Sequence, residues 1–412
     1  MSVLANKKLI IGVTGGIASY KVCDVIRSLK ELGADVQVIM TESANKFVTP
    51  LTFESLSYNP VLTEMFAEDE RVATRHIDIA RDCDALLICP ATANMIGNVT
   101  HGIADDLLST IIMVAGAKKT ILAPAMNTDM WNNPIVQKNV STLKDLGYEF
   151  IEPEIGLLAC RTEGIGKLAA NERIVSKVKI KLLQTEEFKN KHFLITAGPT
   201  QEAIDPVRFL TNNSSGKMGF SLAEAALSGG AEVTLVSGPT SLNPPEDAVF
   251  KSIQTAEEMK IIINDIYPTS DVLIMSAAVS DYRPVAISST KIKKNNKTLN
   301  IDLEKTTDIL AELSTKKNNR VFVGFAVETD NIIANANEKM RKKNLDIMVV
   351  NNPLVEGAGF ATDTNVVTIL TQSGDEISLP KMNKFEIALH ILDEVAILLG
   401  LRPSKFKSAI QV

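Results

Sequence analysis

Two apolar runs that each break on glycine set the limits of what this chain can fold into. Leu9–Val13 ends at Thr14-Gly15-Gly16, and His192–Thr196 ends at Ala197-Gly198-Pro199. After the first break, Val22, Val25, Ile26 and Leu29 recur at helical spacing, Gly33 suits a C-terminal cap, and Val36–Met40 follows as a strand. After the second, Phe220–Leu227 is helical, Gly229-Gly230 closes it, and Glu232–Val236 is the next strand. Strand, glycine turn, helix, strand is a βαβ unit, and successive units of this kind build parallel sheets. Ala85–Cys89 and Thr120–Ala123 extend the first sheet; Val272–Met275, Arg320–Phe325, Ile347–Val350 and Val366–Leu370 extend the second, and Lys384–Leu399 is the last strong helix. The stretch Asn171–Lys191 between the halves is charged and helical with few breakers, and has the look of a solvated connector. The expectation is two doubly wound α/β domains, 1–189 and 190–412, with ligands at loops after the carboxyl ends of strands.

Composition narrows the function. At 412 residues the chain exceeds one ordinary core. Its 43 Lys and Arg against 49 Asp and Glu leave a net charge of −6, which argues against nucleic acid as a partner. No apolar run approaches the roughly 18–20 residues that span a bilayer, and MSVLANKKLIIGVTGG enters a strand without a signal-peptide pattern. Four cysteines (Cys23, Cys83, Cys89, Cys160), none in a CxxC pair, indicate neither a zinc site nor a disulfide scaffold. A cytoplasmic protein without membrane partners is expected.

Thr14-Gly15-Gly16-Ile17-Ala18 sits where a phosphate would meet backbone N–H groups at a helix start, although a plain tight turn has the same pattern. It lacks G-x-G-x-x-G spacing, and Met40-Thr41-Glu42 offers a hydroxyl where a ribose-binding acid would stand, which favours FMN over NAD. Cys89-Pro90-Ala91-Thr92-Ala93-Asn94 ends another strand, with small residues that a flat ring can approach and polar groups that can orient it.

Gly15-Gly16-Ile17-Ala18-Ser19-Tyr20-Lys21, the Pro-Ala-Thr-Ala-Asn run and Pro124-Ala125-Met126-Asn127-Thr128-Asp129-Met130-Trp131 together resemble the flavin-containing cysteine decarboxylases. In the second half, Ala197-Gly198-Pro199-Thr200, Asn212-Asn213-Ser214-Ser215-Gly216-Lys217-Met218-Gly219 and Ser276-Ala277-Ala278-Val279-Ser280-Asp281-Tyr282-Arg283-Pro284 resemble phosphopantothenate–cysteine ligases. The order of the halves is that of the bacterial bifunctional coenzyme A biosynthesis family. The resemblance implies two Rossmann-like domains, the first flavodoxin-like. It also implies two reactions: CTP-dependent ligation of cysteine to 4′-phosphopantothenate through an acyl-cytidylate, then FMN-dependent decarboxylation of 4′-phosphopantothenoylcysteine to 4′-phosphopantetheine.

For the first half, the resemblance implies that FMN oxidises the cysteine side chain to a thioaldehyde. The carboxylate then lies β to C=S, CO2 departs to leave an enethiolate, and hydride and a proton are returned. Gly15, Gly16, Ile17, Ala18, Thr41, Ala91, Thr92 and Asn94 are the candidate FMN contacts. His76 matches the family's active-site histidine, and Asn127 would bind the substrate carboxylate. Cys160, in a glycine-bearing segment suited to a flap, matches the cysteine that protonates the enethiolate. Arg161 and Lys167 stand where that segment more commonly has Gly and Arg.

For the ligase half, carboxylate activation calls for cations and positioning. Asp281 matches the residue for cytidine recognition, and Lys291 in Lys291-Ile292-Lys293-Lys294-Asn295-Asn296-Lys297 matches a triphosphate contact on a flap. Thr307-Asp308-Ile309-Leu310 opens a helix whose donors suit a nucleotide, Phe325 could stack on the base, and Lys339 and Lys343 share a helix face suited to phosphates. Arg208 and Asn212 match residues acting on the acyl intermediate. Mg2+ is inferred from the triphosphate chemistry, with no ligand cluster apparent. Family flavin sites form between subunits, so the resemblance implies a homo-oligomer built on trimers with paired ligase domains. A non-catalytic flavin-binding regulator is the alternative; an NAD dehydrogenase fits the strand pattern but lacks the dinucleotide fingerprint.

Overall fold

The computed structural model describes residues 2–65, 75–293, 298–327, 332–351 and 362–401. Lys294–Lys297 of the expected basic hairpin, Thr74 beside His76, and the tail after Leu401 lie outside them. The chain forms two compact units, Met1–Leu183 and Gln184–Val412, dividing a few residues ahead of the expected boundary.

The first unit is built on β1 (Lys8–Val13), β2 (Asp35–Met40), β3 (Ala85–Ala91), β4 (Thr120–Pro124) and β5 (Glu149–Phe150), all parallel in the order β2-β1-β3-β4-β5. This is the flavodoxin-like order, with its switch point between β1 and β3. Both sheet faces are covered, which is why the strands carry near-continuous apolar runs. Alternation along β1 sends Leu9, Ile11 and Val13 to one core with the helix Val22–Glu31, and Ile10 to another with the helix Leu107–Ala115.

The stretch expected as a helical, solvated connector is a helix over Asn171–Leu182 but not a solvated one, because its Ile174, Val178 and Leu182 join the first core. Its charges mask an apolar stripe at i, i+4 and i+8 spacing. Lys177 and Lys181 do not face water either: their ammonium groups lie 2.6 and 2.5 Å from the Glu149 carboxylate on β5. Before this helix comes a hairpin that the glycine pattern alone did not announce, β6 (Glu154–Leu157) paired antiparallel with β7 (Glu163–Lys167).

The second unit carries β8 (His192–Ala197), β9 (Glu232–Ser237), β10 (Val249–Ser252), β11 (Val272–Met275), β12 (Val321–Val327), β13 (Ile347–Asn351), β14 (Val367–Thr371) and β15 (Glu376–Ser378). Their order is β10-β9-β8-β11-β12-β13-β14-β15; the first six are parallel, β14 pairs antiparallel with β13, and β15 pairs antiparallel with β14. That is the dinucleotide-fold order extended by two strands, with the switch point between β8 and β11. Gly219 lets the helix Lys217–Ser228 approach β8, since a Cβ there would sit 2.5 Å from the Ala197 Cβ. Among the described residues, no helix is long and apolar enough to cross a membrane.

Candidate functional site

In the first unit, the loops after β1 and β3 meet at the switch point. The Thr14 hydroxyl donates to the Pro90 carbonyl (2.6 Å) and accepts from the Thr92 N–H (3.2 Å), so one buried side chain fixes both strand ends. The Ser19 hydroxyl, donating to the Gly16 carbonyl at 2.6 Å, holds the glycine turn closed. A cavity of about 530 Å³ opens beside them, lined by Gly15, Gly16, Ile17, Ala18 and Thr92, by Met126 and Asn127 after β4, and by Leu157–Cys160 on the hairpin.

Two glycines bring the hairpin to that cavity. A Cβ on Gly166, whose φ is +135°, would lie 2.3 Å from the Met126 carbonyl oxygen, and one on Gly164 would lie 2.4 Å from Thr128 Oγ1. The gap they leave lets the Met126 N–H donate to the Gly166 carbonyl at 2.9 Å. The docked hairpin sets Cys160 Sγ at 3.2 Å from Asn127 Nδ2 and 3.0 Å from Thr162 Oγ1. The Thr162 hydroxyl, followed by the Thr162 N–H and the Asn127 amide, lowers the thiol below the usual cysteine value, while the little desolvation there opposes them. Asn127 is itself fixed, because its Oδ1 accepts from the Asp129 N–H at 2.7 Å as a helix cap. Cys160 is exposed, whereas burial pushes the Cys89 thiol up to about 12 and also raises Cys83 and Cys23. Only Cys160 among the four combines access with a lowered thiol, the condition for acid or nucleophilic work.

In the second unit, two cavities of about 530 and 580 Å³ share Ala277, Val279, Asp281, Leu310, Phe325 and Lys343. They lie beyond the carboxyl ends of β8, β11 and β12, as the switch-point rule requires. Lys339 lines the first, which also borders the Asn212–Gly219 loop; Thr307, Asp308 and Ile309 line the second. Asp308 Oδ1 accepts from the Ala311 N–H at 3.1 Å as a helix cap, and its other oxygen lies 2.9 Å from Lys343 Nζ. Asn212 Nδ2 donates to the Ala278 and Val279 carbonyls at 3.3 and 3.0 Å, tying its loop to the end of β11.

The cavities thus collect Gly15, Gly16, Ile17, Ala18, Thr92, Asn127 and Cys160 in one unit, and Asn212, Asp281, Thr307–Leu310, Phe325, Lys339 and Lys343 in the other. Six expected residues line none of them. The Thr41 hydroxyl accepts from the Ala44 N–H at 3.3 Å, Ala91 is buried in β3, and Asn94 is exposed on the helix Ala93–Thr100. His76 is half-buried on the helix Arg75–Asp82. Arg208 is paired with Asp205, and Lys291 is exposed. Sequence reading had also passed over Lys384, a buried lysine at the start of an apolar helix that lines the first of these two cavities.

Residues 2–183 match the flavoprotein family, and residues 188–398 match the DNA/pantothenate metabolism flavoprotein C-terminal domain family. A protein of Bacillus subtilis (strain 168) is 46% identical over 398 residues, covering 96% of this chain and 98% of its own. A protein of Borreliella burgdorferi is 42% identical over 390 residues, covering 94% and 98%. Both are named coenzyme A biosynthesis bifunctional protein CoaBC. The crystal structure of a CoaBC C-terminal domain is 41% identical and covers 52% of this chain and 99% of its own, with a TM-score of 0.46.

Proposed function

This chain belongs to the bifunctional coenzyme A biosynthesis family, and from that premise we propose how its two units divide the work of a decarboxylase and ligase. The unit after Leu183 joins cysteine to 4′-phosphopantothenate at the expense of CTP, and the unit before it decarboxylates the product to 4′-phosphopantetheine. Ligation comes first, because its product is the substrate of decarboxylation.

The carrying observation is the placement of Cys160 Sγ at 3.2 Å from Asn127 Nδ2 beside the glycine turn after β1. The lining fits FMN. Short side chains at Gly15, Gly16, Ala18, Thr92 and Ala93 leave backbone N–H groups and a flat surface open, and Gly15 permits a turn with no room for a Cβ, which would lie 2.4 Å from the Ser43 Cβ. When bound, FMN supplies a two-electron sink that makes loss of CO2 possible and is restored afterwards. Gly15, Gly16, Ile17, Ala18 and Thr92 hold it, with Ala91, Asn94 and Thr41 as supports at the strand ends. The Asn127 amide binds the substrate carboxylate. Cys160 Sγ delivers a proton to the carbon that has lost CO2, a task helped by hydrogen bonds that stabilise the thiolate left behind.

On the ligase side, Asp281 and Phe325 take the cytosine end of CTP, and Thr307–Leu310, Lys339 and Lys343 take its phosphates, with Lys291 neutralising charge as the α-phosphate is attacked. Asn212 and Arg208 serve the acyl-cytidylate before the cysteine amine displaces CMP. Mg2+ enters with the triphosphate. Such an ion keeps several waters and is held mainly by the substrate phosphates.

A homo-oligomer built on trimers, with ligase units paired, completes the proposal. His76 stands outside the cavity of its own chain, so its role beside the thiol calls for a second copy. Ile155 and Leu157 on β6, 74% and 73% exposed, offer apolar surface for one. The regulator alternative is not favoured, since relatives matched along nearly the whole chain are named for biosynthesis.

The test supplies phosphopantothenate, cysteine, CTP and Mg2+ to the full chain. Pyrophosphate, CO2 and phosphopantetheine should appear in equal amounts. Binding of flavin without any of the three would return the regulator.

A further inference from the structure

Lys291 lies on a segment with no sheet of its own, so something else must fix where its ammonium group reaches. Three hydrogen bonds tie the segment to the loop Ile204–Arg208, and a fourth, within the loop, joins the Asp205 and Arg208 side chains. The Ser288 N–H donates to the Ile204 carbonyl at 3.0 Å, and the Ile292 N–H donates to Asp205 Oδ2 at 3.1 Å. Arg208 Nη2 donates to the Ile292 carbonyl at 3.0 Å, while Arg208 Nε donates to the same Asp205 Oδ2 at 3.0 Å. The residue after Lys291 is therefore held on both its N–H and its C=O side by one carboxylate and the arginine it pairs with.

Asp205 is built for this and for little else. Its side chain is fully buried, and its second oxygen, Oδ1, accepts from the Val207 and Arg208 N–H groups at 2.9 Å each, closing the loop under it. The Arg208 guanidinium, then the N–H groups of Val207, Ile292 and Arg208, hold the carboxyl well below the usual carboxylate range despite burial. It stays charged at any pH at which the enzyme would work. A buried carboxylate whose lone pairs are all taken contacts no substrate; it can act only through what it holds.

We infer that Asp205 is a positioning residue for nucleotide activation: with Arg208 it clamps the backbone of Ile292 and so fixes the adjacent Lys291. The inference rests on the proposed role of Lys291 and adds the part that sets its geometry. It also gives Arg208 a task within its own chain, which explains why that side chain lines neither ligase cavity.

Asp205→Asn tests it. An amide can still accept from Val207 and Arg208 through one oxygen, but it presents N–H₂ to the Ile292 N–H and the guanidinium, so the loop survives and the clamp opens. In the full chain, pyrophosphate release should fall about 10- to 100-fold in kcat, the scale of a reacting group misplaced by about 1 Å. Decarboxylation of supplied phosphopantothenoylcysteine should be unchanged, and trypsin should cut faster after Lys291. In a Lys291→Gln background the same change should cost less than about twofold more, because the group it positions is already gone. If Asp205→Asn does not fold, Ile292→Pro deletes the donated N–H with the carboxylate intact and should reproduce the loss. Pyrophosphate release within about twofold of wild type in the variant that folds, or losses that multiply with Lys291→Gln, overturns the inference. Wild-type release in Lys291→Gln alone would instead remove the role of Lys291, and faster tryptic cutting in Asp205→Asn would still report the clamp separately.

Discussion

Asn127 Nδ2 and Cys160 Sγ lie 3.2 Å apart although they belong to different elements, one capping a short helix after β4 and the other at the tip of the β6–β7 hairpin. Substrate entering beside Asn127 would therefore meet an acidic thiol already in place.

That thiol predicts a pH dependence. In the proposed role, proton delivery needs the Cys160 S–H form, so phosphopantetheine formation should fall as pH rises through a thiol value lower than that of an ordinary cysteine. Thr162→Val removes the largest lowering influence, so the thiol value rises and the alkaline fall moves to higher pH. Product formation against pH, in wild type and variant, measures the shift; a fall that moves to lower pH or stays put would contradict it.

The glycines that dock the hairpin should be intolerant. Gly166→Ala adds a Cβ 2.3 Å from the Met126 carbonyl oxygen at a φ of +135°. A destabilisation of about 1–3 kcal/mol is expected, with decarboxylation lost and CTP-dependent ligation retained. Thermal unfolding and the two separate assays check this.

The Glu149 carboxylate binds the helix Asn171–Leu182 to the sheet edge through Lys177 and Lys181. Burial alone would raise its carboxyl, but the two lysines outweigh burial and hold it below the ordinary glutamate value. Its contribution is complete above the unfolded carboxyl value and is lost as pH falls through the lower folded one. Glu149→Ala takes that carboxylate from Lys177 and should destabilise by about 3 kcal/mol, seen as an earlier transition in urea at neutral pH that converges with wild type in acid.

Asn212 donates to two carbonyls at the end of β11, which a carboxylate cannot do. Asn212→Asp should cut amide formation by about tenfold or more, with decarboxylation of supplied phosphopantothenoylcysteine unaffected. Assaying both steps in the full chain decides it.

Much of this architecture was legible in the amino-acid order. Strands covered on both faces carry unbroken aliphatic runs, so the central strands read at once; the edge strands β5, β10 and β15 are short or exposed and gave no such run. The helix Asn171–Leu182 was legible, but it was misread as solvated because charge counts hid the stripe Ile174, Val178, Leu182 and because its lysines are spent on Glu149. The hairpin was missed because Ile155 and Leu157 are exposed and its order depends on contact with Met126 and Thr128, far off in sequence. The spacing of Gly164 and Gly166 on one strand face was the only local hint. Asp205 left an i, i+3 pairing with Arg208, but nothing local pointed to Ile292.

The proton-donor role of Cys160 is tested most directly by Cys160→Ser with phosphopantothenoylcysteine as substrate, counting CO2 and phosphopantetheine from the same reaction. CO2 should be released while saturated product fails to form, since oxidation and carboxyl loss precede the missing proton. Phosphopantetheine appearing in step with CO2 at the wild-type rate would contradict the account.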